Sequence, residues 1–199
     1  MVNRTLNLLE RRYVVEKILS DRTNSLVVSG LGSATYDVHA AGDHDLNFYL
    51  WGGMGGACML GLGLALAQPD RQVIVITGDG EQLMGLGSLV TISIQKPKNL
   101  FIVVLDNERF GETGMQESHT SKGADLAKIA AAAGCSKVWT IRTKRDLKDL
   151  LKINQKLSCF TLAVIKVSAS DTKRSLPIVD GTKIKSRFRQ ALNKNNYII

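Results

Sequence analysis

With 199 residues, 44% of them hydrophobic and 22% charged, the chain has the make-up of one ordinary folded domain rather than a disordered segment. Its most apolar stretch, residues 51–67, holds six glycines and no lipid-length run, and residues 1–22 mix acid with base without an apolar core, so neither a membrane span nor a signal peptide is expected. The net charge of +8 is uneven, with seven Lys/Arg against two Asp in residues 171–199. At 6% aromatic residues with no stacking pattern among the charges, nucleic-acid binding is not expected.

The N-terminal region, 1–22, contains a helix candidate at 6–19. Residues 26–30 (LVVSG) read as a first strand, and a glycine turn, Gly30-Leu31-Gly32-Ser33, follows it. Residues 53–67 read as a helix rich in small residues, suited to close packing. Strand candidates follow at 71–77, 100–105, 137–141 and 160–167, and helices fill the gaps at 81–95, 125–133 and 145–157. The strands are nearly continuous in apolar residues, as strands covered on both faces must be. This alternation predicts an α/β fold, a doubly wound parallel sheet with helices on both faces, and it points to the loops at the carboxyl ends of the strands as the place where a ligand binds. The chain is read as a single domain over 1–199. Its basic tail, 169–199, does not fit the alternation.

Cys58, Cys135 and Cys159 are odd in number and lack metal-ligand spacing. They are expected to be buried, reduced thiols in a cytoplasmic protein.

The chemistry concentrates in two loops. Gly78-Asp79-Gly80 ends the strand at 71–77 and opens into a helix. Asp106-Asn107-Glu108-Arg109-Phe110-Gly111 follows the strand at 100–105. Either alone is an ordinary turn. Together they offer a carboxylate and an amide oxygen from the same end of neighbouring strands, a donor set that suits Mg²⁺ shared with phosphate oxygens. The glycines allow close backbone approach, and the following helix presents free N–H groups to an anion.

GDG, 26 further residues (81–106) and then Asn107 resembles the thiamine diphosphate motif, which ends in a paired Asn; here the first of the pair is Asp106. The resemblance implies that Asp79, Asn107 and the main-chain carbonyl of Arg109 bind Mg²⁺. It further implies that the N–H groups of Gly80 and Glu81 meet the diphosphate, and that the turn at Gly32 and Ser33 faces it. Leu50-Trp51-Gly52-Gly53-Met54-Gly55 is similar to the segment that holds the aminopyrimidine in this superfamily. By that likeness Met54 is the apolar wedge that bends the cofactor, and the Gly52 carbonyl accepts from its amino group. Residues 111–116 (GETGMQ) look most like the phosphonopyruvate and sulfopyruvate decarboxylase branch, with Phe110 in place of a Tyr. In that branch the enzyme can be split into a pyrimidine-binding and a diphosphate-binding chain.

The resemblance therefore implies a thiamine diphosphate-dependent decarboxylase subunit acting on a small 2-oxo acid. The glutamate that activates the cofactor would come from a pyrimidine-binding alpha subunit in an α₂β₂ assembly. His119 is expected to border the substrate or donate a proton. A carboligase of the acetolactate-synthase type shares all of these residues, and a non-catalytic interaction subunit would leave the ligand loops unexplained. A nicotinamide-binding Rossmann enzyme is disfavoured, because 30–35 (GLGSAT) lacks the third glycine of GxGxxG.

Overall fold

A computed structural model describes residues 8–154, 159–170 and 172–194. Six parallel strands form one sheet: β1 (Leu26–Ser29), β2 (Asn47–Tyr49), β3 (Val73–Gly78), β4 (Leu100–Asp106), β7 (Lys137–Ile141) and β8 (Thr161–Lys166), in the order β2-β1-β3-β4-β8-β7. Two short strands, β5 (Arg109–Phe110) and β6 (Gln116–Glu117), pair antiparallel in a separate ribbon beyond β4.

Alternate strand residues enter two separate cores, as the two-residue period requires. Val27, Ile74, Ile76, Phe101, Val103, Ala163 and Ile165 face one layer, with α1 (Arg11–Leu19), α2 (Ser33–Ala40) and α7 (Lys144–Asn154). Leu26, Val28, Val73, Val75, Ile102, Val104, Leu162 and Val164 face the other, with α3 (Ala57–Ala67), α5 (Ser88–Gln95) and α6 (Leu126–Ala132). The doubly wound parallel sheet expected from the sequence is therefore present.

Several elements depart from the sequence reading. The helix expected at 53–67 begins only at Ala57, because Gly53 (φ 73°) and Gly55 (φ 87°) hold the preceding turn in left-handed conformations. The helix expected at 81–95 is two helices, α4 (Asp79–Met84) and α5, parted by the Gly85-Leu86-Gly87 turn. A Cβ on Gly85 would stand 2.2 Å from the Gly55 carbonyl oxygen, so the break lets two backbones touch. β2 and α2 were not anticipated. The first helix, expected from Leu6, begins only at Arg11, because Leu9 pairs as an isolated bridge with Val167; the expected end of the helix at Leu157 lies outside the described residues.

The basic tail is not a loose end. It crosses the top of α1 and α2, where Arg12 Nη2 donates to the Lys173 carbonyl (2.8 Å), His39 Nδ1 meets Ser175 Oγ (2.8 Å) and Trp51 Nε1 donates to the Ile178 carbonyl (2.9 Å). It then forms α8 (Gly181–Lys194), whose Phe188 packs edge-on against Phe48 and covers the open edge at β2.

The chain runs outward from β1 to β2 and then returns to β3 on the other side of β1. The switch point thus lies between the carboxyl ends of β1 and β3, where folds of this type bind ligands. No helix among the described residues is long and apolar enough to cross a membrane. Cys58 is buried, but Cys135 and Cys159 are only half-buried, short of the full burial expected of all three.

Candidate functional site

At that switch point the loops form one cavity of about 130 Å³, lined by Ser33, Met54, Gly78, Asp79, Gly80, Glu81, Asn107, Arg109, Phe110 and Gly111, together with Arg11, Leu31 and Glu112. Most of the expected site residues therefore meet around one space. Gly32 and Gly52 lie beside it rather than on it. Gly32 turns the chain into α2 at φ 72°, and Gly52 is exposed in the turn before Met54. His119 is exposed on a short 3₁₀ turn and stands edge-on to Phe110 with ring centroids 6.4 Å apart, outside the cavity lining. A larger hollow of about 550 Å³, lined by Arg22, Asn24, Arg71 and neighbours, lies away from these loops, at the opposite end of the sheet.

Asp79 opens α4 and is 1% exposed. Ser118 and Thr120 both place hydroxyls on its Oδ2, Thr120 at 3.1 Å, while Oδ1 receives no side-chain hydrogen bond from the described residues. Burial pushes the Asp79 carboxyl up, the Ser118 bond offsets part of this, and the neighbouring Asp106 charge pushes it further up. No basic side chain pairs with it among the described residues. A buried carboxylate without a counter-charge is costly unless it coordinates a cation.

Asn107 Oδ1 accepts from the Arg109 N–H at 3.0 Å, an Asx turn that reverses the chain with Glu108 at φ 62°. Asp106, which replaces the first Asn of the resemblance, is 2% exposed and has its own partners. Its cross-strand neighbour Lys166 places Nζ 2.6 Å from Oδ2, and Thr120 Oγ1 lies 2.8 Å from Oδ1. The extra negative charge is thus matched by a lysine from β8.

Glu81 ties the loops together. Its Oε2 accepts from the Leu31 N–H (3.2 Å) and the Thr77 hydroxyl (2.9 Å). Burial pushes its carboxyl up, while Thr77 and the N–H groups of Gly55, Leu31 and Ala57 pull it back. A Cβ on Gly30 would stand 1.6 Å from Oε2, so the residue after β1 must be glycine for Glu81 to reach across. Gly80 is constrained in the same way, because a Cβ there would enter the Phe110 ring at 2.5 Å. The reading by residue type found the ligand loops. It missed the Glu81 carboxylate as a brace, the Ser118 and Thr120 hydroxyls on Asp79, Lys166 opposite Asp106, and Arg11.

Fold and site together define a class: a doubly wound α/β protein with a cavity at the switch point, lined by apolar side chains and a few polar groups, where such sheets take their ligands. Residues 30–165 match the family model described as thiamine pyrophosphate enzyme, C-terminal TPP binding domain, and the chain belongs to that family.

Among its relatives is the sulfopyruvate decarboxylase subunit beta of Methanocaldococcus jannaschii, 34% identical over 94% of this chain and 98% of that subunit. The same-named subunit of Methanococcus maripaludis is 35% identical over 92% of this chain and 98% of the relative. Phosphonopyruvate decarboxylase of Streptomyces viridochromogenes is 40% identical over 71% of this chain, but the match spans only 35% of that longer protein. In fold, the chain is similar to the X-ray structure of a candidate thiamin diphosphate-dependent enzyme from Mycobacterium smegmatis, with TM-score 0.70 and 24% identity over 80% of this chain and 32% of that one. The fold class and the family resemblance expected from the sequence are both confirmed.

Proposed function

We propose that this chain is the diphosphate-binding subunit of a split thiamine diphosphate-dependent 2-oxo acid decarboxylase, of the sulfopyruvate or phosphonopyruvate kind, working with a pyrimidine-binding partner. The observation that carries the reading is the meeting of Met54, Asp79, Gly80, Asn107 and Arg109 around one cavity at the switch point. The near full-length likeness to separately named beta subunits supports the split, because the same region is about a third of the longer phosphonopyruvate relative.

The residues fit a hard divalent cation. Asp79 is a buried carboxylate without a counter-charge, and Asn107 supplies a neutral amide oxygen beside it. A carboxylate and an amide oxygen suit Mg²⁺ held by few protein ligands together with phosphate oxygens. Asp79, Asn107 and the Arg109 carbonyl would hold it. The N–H groups of Gly80 and Glu81, with the turn at Gly32 and Ser33, would receive the diphosphate.

Thiamine diphosphate, when bound, supplies an electron sink that lets a 2-oxo acid lose CO₂. This chain's part is to anchor and orient. Met54, in its glycine-bounded turn at the cavity, would be the wedge that bends the cofactor, the Gly52 carbonyl would accept from its amino group, and Phe110, packed against Gly80, would help exclude water. His119, exposed beside Phe110 outside the cavity lining, would border the substrate or donate a proton in this reading.

Apolar side chains stand exposed on one side of the molecule: Met59 and Leu66 of α3, Met84 at the end of α4, and Val90 and Ile94 of α5. That face is assigned to the partner, in an α₂β₂ assembly located in the cytoplasm. The test is reconstitution. Purified alone, the chain is expected to release no CO₂ from sulfopyruvate or phosphonopyruvate, and activity is expected on adding a pyrimidine-binding chain. Decarboxylation by this chain alone, free of partner by mass spectrometry, would overturn the split reading.

A further inference from the structure

The cavity has one cationic wall that the metal loops do not supply. Arg11, the first residue of α1, is only 9% exposed, yet it lines the cavity beside Ser33 and Ala34 in the first turn of α2. Its Nε donates to Asp37 Oδ2 at 2.6 Å, and Arg12 Nε reaches Oδ1 of the same carboxylate at 3.3 Å. Two guanidinium groups thus share one buried carboxylate and leave one positive charge over.

Arg12 uses its outer nitrogen on the Lys173 carbonyl. The outer nitrogens of Arg11 donate to nothing among the described residues, and the residue lines the cavity. A buried guanidinium with open donors is built for an acceptor that arrives from outside, and its planar fork matches phosphate. Beside it, α2 starts without a side-chain cap, so its first N–H groups, on Ser33 and Ala34 at the cavity, have no side-chain acceptor at the cap.

The other charged groups facing the cavity are the carboxylates of Asp79, Glu81 and Glu112 and the guanidinium of Arg109. Without Arg11, three carboxylates would stand against one arginine, and a metal on Asp79 would do little more than neutralise the wall.

Resting on the site reading above, we propose that Arg11 is a phosphate ligand of the cofactor site, held in position by Asp37. Asp37 fixes one edge of the guanidinium and leaves the other free for a phosphate of thiamine diphosphate next to the α2 terminus. Arg11 therefore sets affinity for the diphosphate rather than metal dependence.

Calorimetric titration of the full chain with thiamine diphosphate, and separately with inorganic pyrophosphate, each with Mg²⁺, tests this. Arg11→Gln is expected to weaken both ligands by roughly tenfold to a hundredfold while binding still requires Mg²⁺. The double variant Arg11→Met/Asp37→Asn removes the pair without stranding a buried carboxylate and is expected to show the same loss. Wild-type affinity for both ligands in either folded variant would overturn the role of Arg11 and leave the site reading standing. A wild-type chain that binds neither ligand would overturn both.

Discussion

Lys166 and Asp106 face each other across β8 and β4, and Lys166 also reaches Glu108 Oε1 at 2.9 Å. Burial pulls the lysine down, but its bonds to Asp106 and Glu108 outweigh that and leave it above its ordinary value. Lys166→Met would strand Asp106 in the core, at an expected cost of about 3 kcal/mol in urea unfolding. Asp106→Asn in the same chain should restore most of that loss, and a cost under about 1 kcal/mol for Lys166→Met alone would show that the pair is not what balances Asp106.

The thiols give a second test at this scale. Cys58 is buried against Gln82 Oε1 at 2.9 Å, and burial pushes its thiol far up. Burial pushes the Cys135 thiol up to about 11, so only about one molecule in a thousand carries the thiolate at pH 8. Because the folded value is raised, reactivity must grow as pH rises toward 11. In native iodoacetamide labelling at pH 8, Cys58 should stay unmodified and Cys135 should react far more slowly than in the unfolded chain. Asp79 and Asn107 were legible in the sequence because a ligand loop declares itself by residue type after a strand. Ser118, Thr120 and Arg11 were not, because their partners are remote in sequence and met only through packing.

Among the elements, the buried parallel strands declared themselves through their apolar runs. β2 did not, since three residues beside Asp43, His44 and Asp45 carry too short a pattern. α2 was hidden by its Thr, Tyr and Val and by Asp37, a charge that looks like a surface residue and is wholly buried. The tail hid α8 because its apolar residues are few among seven basic ones in 171–199.

What joins these elements at the site is the Glu81 brace, and it can be broken from the far side. Gly30→Ala drives a methyl into the Glu81 carboxylate and should destabilise the chain by about 1–3 kcal/mol, through overpacking. With Glu81→Ala also present, the clash is gone. A double-mutant cycle by thermal or urea unfolding should show coupling above roughly 0.5 kcal/mol, and additive effects would mean that Gly30 and Glu81 do not meet.

At the scale of the whole molecule, two surfaces matter: the switch-point cavity and the apolar face of α3, α4 and α5. Met84 and Ile94 are 68% and 71% exposed, so charging them should leave fold stability within about 0.5 kcal/mol. Met84→Glu and Ile94→Glu should nevertheless weaken association with a pyrimidine-binding chain, read by sedimentation of the mixture. Undiminished assembly would move the interface elsewhere on the surface.

The central claim is that Asp79 and Asn107 hold a cation that in turn holds a diphosphate. Titration of thiamine diphosphate into the wild-type chain, Asp79→Ala and Asn107→Ala, each with Mg²⁺ and with chelator, tests it most directly. The account predicts binding by the wild type only when Mg²⁺ is present, and none by either variant while both remain folded. Binding that is equal in all three chains, or indifferent to the chelator, would contradict it.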